Sequence, residues 1–121
     1  MRDELNNTKP TKNECLILNL DHSSNKGTHW VCMFIKEGVQ YYFDSYGFRA
    51  PSEVIVYFKG FTKFYYDNSF KIQKYGEVIC GHYSIYVLYK LSNGFDFYAI
   101  LDELYRWSQN KTLKLLLFSK W

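Results

Sequence analysis

Short apolar, β-branched and aromatic runs fill the first half of the chain, and helix-length apolar segments fill the second. "CLILNL" (15–20) is a compact apolar run with strand character, expected to be central in a sheet. "DHSSNKGT" (21–28) is turn-rich. "HWVCMFIK" (29–36) and "VQYYFDSY" (39–46) read as two strands, with Glu37-Gly38 between them as a tight hairpin loop. "APSEVIVYFKG" (50–60) reads as a helix that Pro51 or Ser52 starts and Gly60 ends, although its β-branched residues weaken it. "FTKFYYD" (61–67) returns as a strand. From Cys80 to Leu91 the chain is apolar on almost every side, the pattern of a helix buried all round. "SNG" (92–94) stops it, and Phe97, Ile100, Leu101, Leu104 and Tyr105 then mark one stripe of an amphipathic helix. "TLKLLLF" (112–118) is a final short helix or strand. These elements predict an α+β fold, a mostly antiparallel sheet followed by helices.

Composition narrows the class. A chain of 121 residues suits one domain, and 21% aromatic content argues against disorder. The expected division is a polar arm over 1–14, flexible or held by a partner, and a single domain over 15–121. No apolar run reaches the roughly 20 residues of a membrane span, and the polar start has no signal-peptide core. Three cysteines, an odd count without a CxxC pair, point to a reducing compartment, cytoplasm or nucleus. The three Cys and three His fit no common zinc spacing, so neither metal nor cofactor is expected. A net charge of +3 is too mild to imply nucleic acid, and the lysines near the end give DNA binding only weak support.

Candidate chemistry begins at the hairpin. A two-residue loop places Val31 opposite Asp44, so His29, Val31 and Asp44 share one face. His29 is then diagonal to Asp44, close enough for a hydrogen bond after modest twist. A carboxylate so placed fixes the histidine's tautomer and orientation. Cys80 opens an apolar helix, whose N-terminal partial charge favours a thiolate. Gly81 leaves the approach to the sulfur clear, and Gln73 offers an amide N–H to an oxyanion beside the Cys80 backbone N–H. Nucleophile, base, orienter and oxyanion donor are the parts of a thiol protease. Taken singly, each has a plainer reading: a surface His–Asp pair, a loop glutamine, a core thiol.

"GTHWVCMFI", then "YYFDSYG", then a glutamine seven residues before Cys-Gly at a helix start resemble the adenain-type cysteine proteases. The likeness is nearest to those of Polinton/Maverick transposons and related viruses. The SUMO and ubiquitin-like deconjugating proteases are more distant relatives. It runs from about Cys15 to Tyr105. It implies a papain-like fold of the adenain type, with a sheet packed on a buried helix that starts at the catalytic cysteine. It further implies Cys80 as nucleophile, His29 as general base, Asp44 as its orienter and Gln73 in the oxyanion hole. Trp30 would pack against the site, or serve only as a hydrophobic strand residue. The implied substrate is a viral or transposon structural protein, cut after small residues such as Gly-Gly and matured in the virion.

Two departures stand out. Glu77 occupies a position where many relatives have a small polar residue, and a carboxylate there opposes a thiolate, with His82 able to offset it. The chain is also shorter than adenain, without room for the elements that bind peptide and DNA cofactors. An activating peptide, a second copy or the polar arm of residues 1–14 would then complete the site. The competing readings are an isopeptidase for a ubiquitin-like modifier and a binding module with an idle site.

Overall fold

The computed structural model describes Leu5, Thr11 and residues 13–20, 29–72 and 80–109, with Cys80 described by its backbone alone. Gln73, Glu77, the 21–28 loop and the 112–118 segment lie outside the described residues.

Four strands form one sheet in the order β1 (Glu14–Asn19), β2 (Trp30–Lys36), β3 (Val39–Phe43), β4 (Phe64–Asp67). The first two pairings are antiparallel and β3–β4 is parallel. A parallel pair needs a crossover, and α1 (Ser52–Tyr57) lies in it. The helix is shorter than the 50–60 expected, since Val54, Ile55 and Val56 in succession are poor at propagating a helix.

The β2–β3 hairpin has the expected two-residue loop, with Lys36 paired to Val39 and Cys32 to Phe43. Glu37 and Gly38 both take positive φ, 52° and 84°, the backbone that lets a two-residue loop follow the strands' twist. This register decides which side chains share a face. Val31, Met33, Ile35 and Tyr42 point to one side and pack with Val54, Phe58 and Leu5. Cys32 and Phe43 point to the other, against α2 (Cys80–Ser92) and α3 (Phe97–Ser108), where Tyr83, Val87, Ile100 and Leu104 fill the core. Asp96 caps α3, its Oδ2 accepting the Ala99 N–H at 3.1 Å.

Two expectations are corrected. Among the described strands β1 lies at the edge rather than at the centre: Cys15 and Ile17 face outward while Leu18 is buried. An apolar run reports strand character and leaves strand order open. The α2 helix is not buried all round, because His82, Ile85 and Tyr89 are exposed. The sheet and α3 cover one side of α2, and Tyr89 can keep its hydroxyl in water on the other.

Candidate functional site

The site begins where β2 and β3 meet at the end away from the hairpin loop. His29 precedes β2, and its carbonyl accepts the Leu20 N–H at 2.9 Å, carrying the β1–β2 ladder one step further. Asp44 follows β3 and is fully buried. The register sets His29 diagonal to Asp44, and Nε2 of His29 lies 2.7 Å from Asp44 Oδ1. A carboxylate only accepts, so Nε2 carries the proton and Nδ1 holds the lone pair of the neutral ring. Nδ1 is buried, with no hydrogen-bond partner among the described residues. It is the nitrogen left for proton transfer.

Backbone chemistry holds the pair. Asp44 Oδ1 also accepts the Tyr46 N–H at 2.8 Å, an Asx-type turn that closes the strand end. Tyr46 folds back so that its ring stacks on His29, with centroids 4.3 Å apart. The Asn68 amide is bonded to the Asp44 backbone. Tyr46 and Asn68 were not singled out by sequence. Tyr46 had a readable signal, an Asp two residues before an aromatic. Asn68 had none, because its contact depends on the parallel β3–β4 register.

The α2 helix arrives next to this pair. Ser84 Oγ donates to the Trp30 carbonyl at 3.3 Å. A methyl group at Gly81 would sit 3.9 Å from Trp30 Cδ1. The first turns of α2, which Cys80 opens, therefore lie against the residue that follows His29. Trp30 is 44% exposed, so its ring borders solvent beside the helix start. The structure thus brings His29 to Asp44 and Trp30 to Gly81. Gln73 and the Cys80 side chain are outside its description. Of the other cysteines, Cys15 is exposed and Cys32 is core, where burial first and the neighbouring Cys15 second push its thiol well above the ordinary range. No group of three or more potential metal ligands occurs among the described residues, and none of their helices is long and apolar enough to cross a membrane.

No family model and no curated protein matches the chain. Two solved structures do: the ASFV pS273R protease, at TM-score 0.55 and 20% identity over 83% of this chain, and its second crystal structure, at 0.53 and 18% over 83%. The chain shares the α+β fold of this protease. It spans less than half the length of the pS273R chains, 44% and 43%.

Proposed function

We propose that the chain is a cysteine endopeptidase. The observation that carries the proposal is the buried His29–Asp44 pair: it leaves Nδ1 of His29 as a base next to a helix that opens at Cys80. The shared fold with the pS273R protease supports it. In this reading Cys80 loses its proton to His29 Nδ1, and the thiolate attacks the scissile carbonyl carbon. The oxyanion is held by the Gln73 amide and the Cys80 N–H. As the C–N bond breaks, His29 returns the proton to the leaving amine. Water, deprotonated by His29, then adds to the thioester and restores the thiol. Asp44 keeps the imidazole in the tautomer both steps need.

The proposed substrate is a viral or transposon structural protein with small residues such as Gly-Gly before the cut. The proposed setting is a reducing compartment or a virion, where the thiol survives. Glu77, close to Cys80 in sequence, favours a site completed by an activating peptide or a second copy.

The test is hydrolysis of fluorogenic Gly-Gly peptides together with labelling by a peptide vinyl sulfone and mass-spectrometric mapping. Label at Cys80, with hydrolysis abolished in Cys80→Ala and His29→Ala and cut about 10²–10³-fold in kcat by Gln73→Ala, is expected. Hydrolysis that survives Cys80→Ala, or label confined to Cys15, overturns the reading.

A further inference from the structure

Asn68 is almost wholly buried, 2% exposed, at the point where the β3–β4 ladder ends. The last backbone pair is Tyr42 with Asp67. Beyond it the Asn68 side chain takes over as a substitute strand. Its Oδ1 accepts the Asp44 N–H at 3.1 Å, and its Nδ2 donates to the Asp44 carbonyl at 2.6 Å. The second Nδ2 hydrogen goes to the Phe70 carbonyl at 2.9 Å. One amide therefore pairs with both backbone polar groups of Asp44, in a place where water has little access; the Asp44 N–H depends on it, while the carbonyl also accepts the Gly47 N–H at 2.7 Å. The zipper continues past it. Ile72 N–H donates to the Ser45 carbonyl at 2.8 Å, and Gly47 backs onto Phe70 and Lys71.

The consequence reaches both sides of the chemistry. Asp44 orients His29, and Ile72 immediately precedes Gln73. We propose that Asn68 is a positioning residue that fixes the backbone of the histidine's carboxylate partner and, through the same clasp, the origin of the segment carrying the oxyanion donor. It touches neither His29 nor a substrate, and it rests on the peptidase reading for its effect on rate. The amide's chemistry matters here: aspartate keeps the shape but has no N–H to donate, and serine has one O–H, which cannot serve both the Asp44 and the Phe70 carbonyls.

Asn68→Ala and Asn68→Asp test this, with active sites counted by vinyl sulfone titration. A positioning role predicts that kcat per titrated site falls about ten- to hundredfold in both, with KM within about twofold of wild type. The pH profile of Cys80 alkylation should move, and the downfield Nε2–H proton signal of His29 should broaden or shift. A purely structural role predicts fewer titratable sites and a lower Tm, with kcat per site and the alkylation profile unchanged; that result overturns the proposal. If neither variant folds, the wild-type protein decides: slow exchange of the Asn68 side-chain N–H₂ and of the Asp44 N–H is required, and fast exchange of either overturns the clasp. Should the wild type prove to hydrolyse nothing, the His29 proton signal still reports the clasp, so the two readings fail separately.

Discussion

The Tyr46 ring lies nearly parallel to the His29 imidazole, with 13° between the planes and 4.3 Å between centroids. In the proposed reaction a proton arriving at Nδ1 makes a cation under an aromatic face. Such contacts are worth about 0.5–2 kcal/mol, depending on how dry they are.

Removing the ring while keeping the Tyr46 N–H isolates this effect. Tyr46→Leu is expected to lower kcat about 2- to 30-fold by that arithmetic. Tyr46→Phe keeps the face and should stay near wild type. Initial rates of the three proteins on one peptide give the answer. Equal losses in Phe and Leu would shift the role from the ring to the hydroxyl.

Gly47 is required for two independent reasons. Its φ is 82°, and an added Cβ would lie 2.5 Å from the Phe70 carbonyl carbon, 2.7 Å from its oxygen and 2.8 Å from Lys71 N. Backbone atoms cannot swing aside as a flexible side chain would. Gly47→Ala should therefore destabilise by about 2–4 kcal/mol, combining left-handed strain with overpacking. Gly60→Ala is the control, since no atom of the described residues lies within 4 Å of a Cβ there. Urea midpoints of the two variants check this. A Gly47→Ala midpoint equal to that of Gly60→Ala would show that the 44–47 and 68–72 segments are not held together as tightly as described.

The hairpin was legible because one local feature, a two-residue loop at Glu37-Gly38, fixes the parity of every residue on both strands. His29 and Asp44 followed from counting. The α3 stripe was legible for a similar reason, a single period that Phe97, Ile100, Leu101 and Leu104 bury. Tyr105, counted on the same stripe, is exposed, and Asp96, which caps the helix, was read only as lying off it. Asn68 was not, because its partner is 24 residues away in sequence and the pairing is set by a crossover. The edge position of β1 escaped for want of any local mark of strand order. The exposed side of α2 was hidden by residues such as Ile85 and Tyr89, which are apolar or aromatic by composition yet face outward.

Tyr42 carries a buried hydroxyl without a hydrogen-bond partner among the described residues. Burial first, and then the Asp44 charge, push its phenol well above the ordinary value of 10.0. The raised folded value means that the protonated phenol favours the fold. Its contribution is complete below about pH 10 and is lost as pH climbs from there toward the folded value. Tyr42→Phe removes both the orphan group and the titration. At pH 7 it should be neutral or stabilising by up to about 1 kcal/mol. Between pH 10 and the onset of base unfolding, wild type should lose stability faster than the variant, by at most about 1.4 kcal/mol per pH unit. Tyr65 and Tyr86 are raised too, so the variant keeps part of the slope. Denaturant titrations by circular dichroism at several alkaline pH values make the comparison. Parallel curves for the two proteins would mean that Tyr42 ionises as easily folded as unfolded.

Gly81 is the second residue of α2, and packing does not explain it. Among the described residues a Cβ there meets only Trp30 Cδ1, at an ordinary contact distance of 3.9 Å, and its φ is not left-handed. Alanine is the better helix former by up to about 1 kcal/mol, so Gly81→Ala should be as stable as wild type or more so. What a methyl group would obstruct is the space between the Trp30 ring and the start of the helix, where the proposed acyl group must approach Cys80. The two kinds of reaction at that sulfur should then separate. Iodoacetamide is small enough to reach it past a methyl, so its alkylation rate should change little. Peptide hydrolysis needs the substrate backbone close to the helix start and should fall by about 10²-fold for a displacement of the order of 1 Å. Thermal melts, alkylation kinetics and peptide turnover on one preparation of Gly81→Ala give all three readings. A variant with undiminished turnover would show that glycine is not needed for access, and the substrate path would have to run along another side of Trp30.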